Sequence, residues 1–300
     1  MSIYQGLEKF QVRGLTVCII ECQQGSEQWH AARAGVITAS MFSTIRALVG
    51  GLDSRQQLYV DAILAGKSEA DALAIAGYKA APKAQAVQKA LNGEKVGSYS
   101  EAALNYAFRL ACERITGKPL DEGFSTYQMK RGNRLEPDAR ARHEQKLGQL
   151  IHEAGFVVTT DGKFGASADG LIGDTGGSEY KCLVAPERIR SIVLDGDISE
   201  FMDQVQGCLW LTGRKWWHFC LYCPDLAVAG KDLFAFKVAR DDDYIDALEQ
   251  DLLAFDAVVE SYRAQLESAP TEHNGLQFDV AIPEAQPQAE PQSAIGIFGA

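Results

Sequence analysis

Three charged residues, Asp169, Glu179 and Lys181, have the types and spacing of a reactive centre. They lie in the stretch Phe164-Gly-Ala-Ser-Ala-Asp169-Gly-Leu-Ile-Gly-Asp-Thr-Gly-Gly-Ser-Glu179-Tyr-Lys181-Cys182. Apolar Leu171 and Ile172 lead into a Gly173–Gly177 turn, and a short second strand follows, so the stretch predicts a β-hairpin. Side chains alternate faces along a strand, which puts Glu179 and Lys181 on one side and Tyr180 on the other. Asp169, ahead of the turn, comes alongside Glu179 if the strands pair. Two converging carboxylates repel unless a cation sits between them, and hard oxygen ligands suit Mg²⁺ or Mn²⁺. A lysine beside such a cation can hold or activate an attacking water and stabilise charge on a phosphate. Asp-(x)9-Glu-x-Lys thus has the form of a metal-dependent phosphodiesterase centre. The same residues also fit an ordinary hairpin with a solvated Glu–Lys pair.

The flanking segments supply the elements that would position this centre. Leu15–Ile20 is a β-branched run, read as a strand. Ser26 is placed to cap a short helix on which Trp29 and Arg33 stand one turn apart, and Gly35 ends it. Thr38 or Ser40 can cap the next helix. Hydroxyls at a helix start beside an arginine make an anion site, although a core Trp29 and a surface Arg33 fit the pattern as well. The charged segment Thr126–Leu147 is helical in character, and Pro137 predicts a helix restarting near Glu136. Glu136 can reach the metal as a third carboxylate or pair with Arg140 one turn on. His143 and His152 have no spacing that suggests a metal. In Ser199–Gly213, Gln204 and Gln206 face different directions, so one of them can line a site.

Composition bounds the answer further. The 300 residues, 46% hydrophobic, allow one large domain or two ordinary ones. Twenty-nine Lys and Arg against 40 Asp and Glu give a net charge of −11, which argues against a surface coated with nucleic acid but not against a local basic channel. The seven scattered cysteines, and no signal peptide at Met1-Ser-Ile-Tyr4, read as reduced thiols of a cytoplasmic protein in a bacterium or phage-infected host. No apolar run approaches the ~20 residues of a membrane span. Cys220 and Cys223 form a lone CxxC within an aromatic strand, where residues three apart face opposite sides.

Residues 50–98 are Ala-rich and read as short helices, Gln57–Leu64, Ser68–Ala76 and Lys83–Leu91, near neutral inside an acidic chain. The Gly66–Tyr78 pattern resembles the helix-turn-helix of phage terminase small subunits; a packing subdomain without DNA contact is the alternative. Ile245, Leu248, Leu252, Phe255, Val259, Tyr262 and Leu266 form a helical stripe, read as packed on the domain's own core. Residues 269–300 hold four prolines and no Lys or Arg, and read as a flexible tail ending in a short apolar segment, Ile295–Ala300.

Four ordered blocks resemble the lambda exonuclease-type family, the YqaJ-like viral recombinases. They are Trp29-His-x-x-Arg33-x-Gly35-Val-Ile-Thr-Ala-Ser40, then Arg131-Gly132-x-x-x-Glu136-x-Asp138-Ala-Arg140, then Ser167-Ala-Asp169-Gly-Leu with Glu179-Tyr-Lys181-Cys182, and finally Gln204-Val-Gln206 with Thr212. The resemblance implies an α/β (α+β) fold with a PD-(D/E)xK restriction-endonuclease-like core, a mixed central sheet flanked by helices. The core would span 1–49 and 99–268, with 50–98 a helical, helix-turn-helix-like insertion. The resemblance further implies Mg²⁺ (Mn²⁺ possible) held by Asp169, Glu179 and the Tyr180 carbonyl. Lys181 would act on water, assisted by Glu136 and Gln204. Arg33 and Ser40 would bind a 5′-phosphate, with Trp29 beside them. Such enzymes digest one strand of linear duplex DNA 5′→3′, form ring-shaped trimers and pass the 3′ overhang to a single-strand annealing protein. Two departures stand out: Ala168 replaces the usual proline before the aspartate, and Leu183 the proline after Lys-Cys. The alternatives are a Cas4- or RecB-like nuclease whose Cys22, Cys208, Cys220 and Cys223 hold an iron–sulfur cluster, and a DNA-binding or packaging factor that works through the insertion.

Overall fold

Strands β1 (Lys9–Val12) and β2 (Leu15–Ile20) form a hairpin in the computed structural model, which describes residues 7, 9–94, 96–120 and 126–268. Helix α1 (Glu27–Arg33) follows; the Ser26 hydroxyl accepts from the Trp29 N–H at its start. Strand β3 (Ile37–Thr38) passes through a 3-10 turn (Ala39–Met41) into α2 (Phe42–Arg46). Thr38 precedes that turn, but neither its hydroxyl nor that of Ser40 caps the helix. Short strands β4 (Leu48–Val49) and β5 (Ser98–Tyr99) pair at the base of three helices, α3 (Ser54–Leu64), α4 (Glu69–Ala76) and α5 (Gln85–Leu91). These helices pack around their own apolar cluster of Tyr59, Val60, Ala62, Ala72, Ala76 and Val87.

Two long helices come next, α6 (Glu101–Thr116) and α7 (Tyr127–Leu147). Helix α7 runs unbroken through Pro137, where the sequence predicted a restart. Proline removes the bond to the carbonyl four residues earlier. Here that residue is Asn133, and Asn133 and Pro137 are both exposed, so water can take the freed carbonyl. The chain then forms β6 (Phe156–Thr159), β7 (Phe164–Ser167), β8 (Gly170–Ile172) and β9 (Gly176–Lys181). After α8 (Pro186–Arg190) and a π-helical turn (Ser191–Asp195) come α9 (Met202–Thr212), β10 (Trp216–Tyr222), β11 (Leu233–Ala239) and α10 (Asp242–Glu267).

Apart from the β4–β5 pair, the strands make two mixed sheets, within the α/β class that was expected. One has the order β1-β2-β6-β7-β3, with β3 parallel to β7; the other has the order β11-β10-β9-β8, with β10 parallel to β9. The chain crosses from the first to the second between Ser167 and Gly170, and Asp169 occupies that crossing. The hairpin is present, but its turn is shorter than expected. Gly176 and Gly177 already belong to β9. The rings of Trp216 and Trp217 on the neighbouring strand lie over them, and a Cβ at either glycine would come within 2.2 Å of a ring carbon.

Helix α9 is the central core element: Val205, Cys208, Leu209, Trp210 and Leu211 are fully enclosed. Gly207 lets it approach Phe42, since a Cβ there would meet that ring at 2.5 Å. The stripe on α10 packs as expected: Ile245, Leu248, Leu252, Phe255 and Val259 are fully buried, while Leu266 is exposed. All of this lies in a unit formed by Met1–Leu266; of a second unit, Glu267–Ala300, only residues 267 and 268 are described. The expected flexible tail and its apolar end lie outside the described residues. No described helix is long and apolar enough to cross a membrane.

Candidate nuclease centre

Strand alternation and sheet order bring the three motif residues together. Pairing of β8 with β9 places Gly170 opposite Ser178, so Asp169 arrives beside Glu179 and Tyr180. One Asp169 carboxylate oxygen accepts from the Tyr180 N–H at 2.8 Å. The Lys181 ammonium donates to Glu179 Oε1 at 2.7 Å and to Gln204 Oε1 at 2.9 Å, and Gln204 Nε2 donates to the same Glu179 oxygen at 2.6 Å. The burial of α9 aims Gln204 at the strand. Gln206, two residues on, instead bonds the Ala239 carbonyl and the Asp241 N–H.

The electrostatics of this cluster call for a cation. Burial, followed by the nearby Glu179 and Glu136 carboxylates, pushes the Asp169 carboxyl well above its usual range. Burial also raises Glu136 despite its 2.9 Å ion pair with Arg140, and Glu179 adds to the rise. Burial works against the Lys181 charge, but Glu179 and Asp169 outweigh it and hold the ammonium above its ordinary value. The second oxygen of Glu179 is buried and has no hydrogen-bond partner among the described residues. A buried carboxylate oxygen without a partner carries a large desolvation cost, which a hard divalent cation removes.

Among the described residues, no three His, Cys, Asp or Glu side chains converge as metal ligands. Glu136 makes the pair with Arg140 one turn on, at 2.9 Å, and its charge still acts on Asp169. A cation at Asp169 and Glu179 would take its remaining ligands from main-chain oxygen, water and phosphate, as Mg²⁺ commonly does.

A second constellation borders the first in a cleft of about 550 Å³ lined by both. The guanidinium of Arg33 lies 4.1 Å from the centre of the Trp29 ring. Trp29 Nε1 donates to Ser167 Oγ at 2.8 Å, and Arg33 reaches Ser167 Oγ at 3.5 Å and Thr38 Oγ1 at 3.3 Å. Ser40 Oγ stands 3.4 Å from Thr38 Oγ1 and is exposed in the cleft. The parallel pairing of β3 with β7 creates this arrangement, because it lays Thr38 beside the strand that ends in Ser167. Among the described residues Arg33 has no carboxylate partner, and burial lowers its pKa to about 10. Sequence reasoning missed Ser167 here; its signal lay only in sharing a motif block with Asp169.

The cysteines do not gather. Cys22 packs near β2 and β6, Cys208 and Cys223 sit in the main core, and Cys220 in a separate cluster under α7. All seven are free thiols. The iron–sulfur alternative is set aside on this geometry.

Fold and cleft define a nuclease of the PD-(D/E)xK type. The YqaJ-like viral recombinase domain matches residues 28–215, more than half of the sequence, and the chain belongs to that family and is a deoxyribonuclease. Among solved structures it is similar to the alkaline exonuclease LHK-Exo from Laribacter hongkongensis, at 29% identity and a TM-score of 0.53, over 80% of this chain and 96% of that one. The structure of LHK-Exo in complex with dAMP matches at 30% identity and a TM-score of 0.56, with the same coverage. No curated protein matches the sequence.

Proposed function

We propose that the protein is a Mg²⁺-dependent exonuclease, with Mn²⁺ as a substitute, that resects linear double-stranded DNA 5′→3′ from a phosphorylated end. One observation carries this reading: the Arg33 guanidinium, without a carboxylate partner among the described residues, contacts Ser167, two residues from Asp169. An anion seat adjoining an acidic pair is what an enzyme needs to hold a terminal phosphate while the adjoining phosphodiester is cut. The kinship with alkaline exonucleases supports it.

Asp169, Glu179 and the Tyr180 carbonyl would hold the cation. When bound, it would neutralise charge on the phosphate and make a nearby water more acidic. Lys181, fixed between Glu179 and Gln204, orients that water and donates to the phosphate. Gln204 keeps Glu179 and Lys181 in register, and Glu136 assists from α7. Arg33, Ser40, Thr38 and Ser167 bind the 5′-phosphate while Trp29 supports the guanidinium face. We read 1–49 and 99–268 as the nuclease core, with 50–98 inserted as a helical subdomain and 269–300 as a tail. A ring of three subunits with a basic bore reconciles net −11 with a DNA substrate, and a single-strand annealing protein in the same cytoplasm would receive the 3′ overhang.

The test is digestion of end-labelled linear duplex with Mg²⁺ or EDTA, by the native protein and by Lys181→Ala. Mg²⁺-dependent loss of the 5′-labelled strand that disappears in the variant is the expected result. Intact duplex with both Mg²⁺ and Mn²⁺ would overturn the reading and return attention to the insertion as a DNA-binding module.

A further inference from the structure

Behind β9, on the face opposite Glu179 and Lys181, lies a buried polar chain that the proposed chemistry does not use. Ser178 Oγ donates to the Tyr180 hydroxyl at 3.1 Å, and that hydroxyl is 3.0 Å from His143 Nδ1. His143 Nε2 is 2.9 Å from His218 Nδ1. Ser178 is fully enclosed, and His143 and Tyr180 are 2% and 6% exposed. One assignment satisfies every member: Ser178 donates to Tyr180, Tyr180 to His143 Nδ1, and His143 Nε2–H to His218. An apolar side chain would fill the His143 position without needing partners, so the retained imidazole calls for a reason.

The elements it joins suggest one. His143 and Glu136 both stand on α7, two turns apart on one face, with the fully buried Ala139 between them against Tyr180 and Cys220. On the other side of Glu136, Arg131 donates to the Cys182 carbonyl at 2.7 Å, just past Lys181. Helix α7 is therefore pinned to β9 on both sides of Glu136. The Tyr180 peptide that His143 anchors is also the one whose N–H holds Asp169.

We propose that His143 is a positioning residue of the nuclease centre. Through the Tyr180 hydroxyl it fixes both the peptide between Glu179 and Lys181 and the helix that presents Glu136. This rests on the metal-dependent reading above and assigns that site a support on its far side.

The experiment compares His143→Leu, His143→Asn, His143→Gln and Tyr180→Phe in the full chain. Asparagine places a polar atom where Nδ1 stands and keeps the Tyr180 bond; glutamine reaches toward His218 and loses it. Mn²⁺ binding is followed by electron paramagnetic resonance on the protein alone, and kcat and KM are measured on 5′-phosphorylated linear duplex. His143→Leu, His143→Gln and Tyr180→Phe are expected to bind Mn²⁺ about tenfold more weakly and lower kcat about tenfold, the scale of support behind metal ligands, with KM nearly unchanged. His143→Asn recovers most of both. If His143→Leu is too unstable to measure, Tyr180→Phe decides. Native Mn²⁺ affinity and kcat in Tyr180→Phe, or a His143→Asn variant no better than His143→Leu, would overturn the proposal. A native protein that binds Mn²⁺ in this His143-dependent way yet cuts no DNA would instead overturn the nuclease reading.

Discussion

Replacing Arg33 with methionine should make the protein more stable and less selective at once. Arg33 is half-buried, its bonds to Ser167 and Thr38 are long, and among the described residues no carboxylate forms an ion pair with it, Glu113 favouring its charge only from beyond ion-pair distance. Burial lowers its pKa from 12.5 to about 10. At neutral pH, below both values, the group is charged in folded and unfolded chains, so the full penalty against the charged form applies, about 3 kcal/mol. Solvent at the cleft mouth screens part of this, and the stacking on Trp29 returns about 1 kcal/mol that methionine gives up. The balance favours Arg33→Met by about 1–2 kcal/mol, or about 2–8 °C in Tm. Inorganic phosphate should raise the Tm of the native protein in proportion to ln(1 + [L]/Kd) and leave that of the variant unmoved. The assay is thermal unfolding across a phosphate series, paired with digestion of 5′-phosphate and 5′-hydroxyl duplexes. A variant less stable than the native protein, or one that phosphate still stabilises, would refute the claim that Arg33 is an anion seat held without an ion-pair partner.

Other substitutions probe the neighbouring parts. Lys181→Ala should lower kcat by about 10²–10³, the scale of losing one preorganised donor, while DNA-end binding measured in EDTA stays near native. Ser167→Ala removes the acceptor of Trp29 Nε1 and a contact of Arg33; losing about 1 kcal/mol there should shrink the preference for phosphorylated ends about fivefold in competition digests. Gly177→Ala would drive a methyl into the ring of the fully enclosed Trp217, and urea unfolding should show a loss of about 1–3 kcal/mol or more.

Local periodicity made much of this molecule legible. The two-residue repeat of a strand puts Glu179 and Lys181 on one face, and one helical turn stacks Arg33 on Trp29. The same logic separated Gln204 from Gln206 and assigned the α10 stripe to the core. What escaped was set by partners distant in the chain. Gly176 and Gly177 read as turn residues because nothing nearby announces the tryptophans of β10 that lie over them. Pro137 reads as a helix start because propensity does not know that Asn133, whose carbonyl it frees, is exposed. His143 has no local partner; Tyr180 and His218 reach it only through the sheet. The split into two sheets hinges on the step at Ala168–Asp169, which alternation within either strand does not reveal.

The most direct test is a linear duplex phosphorylated at only one 5′ end, with each strand labelled separately and Mg²⁺ present. The account predicts that the phosphorylated strand is shortened from its 5′ end, leaving a 3′ overhang, and that Asp169→Asn abolishes the reaction. Equal digestion of both strands, resection from the 3′ ends, or undiminished cutting by Asp169→Asn would contradict it.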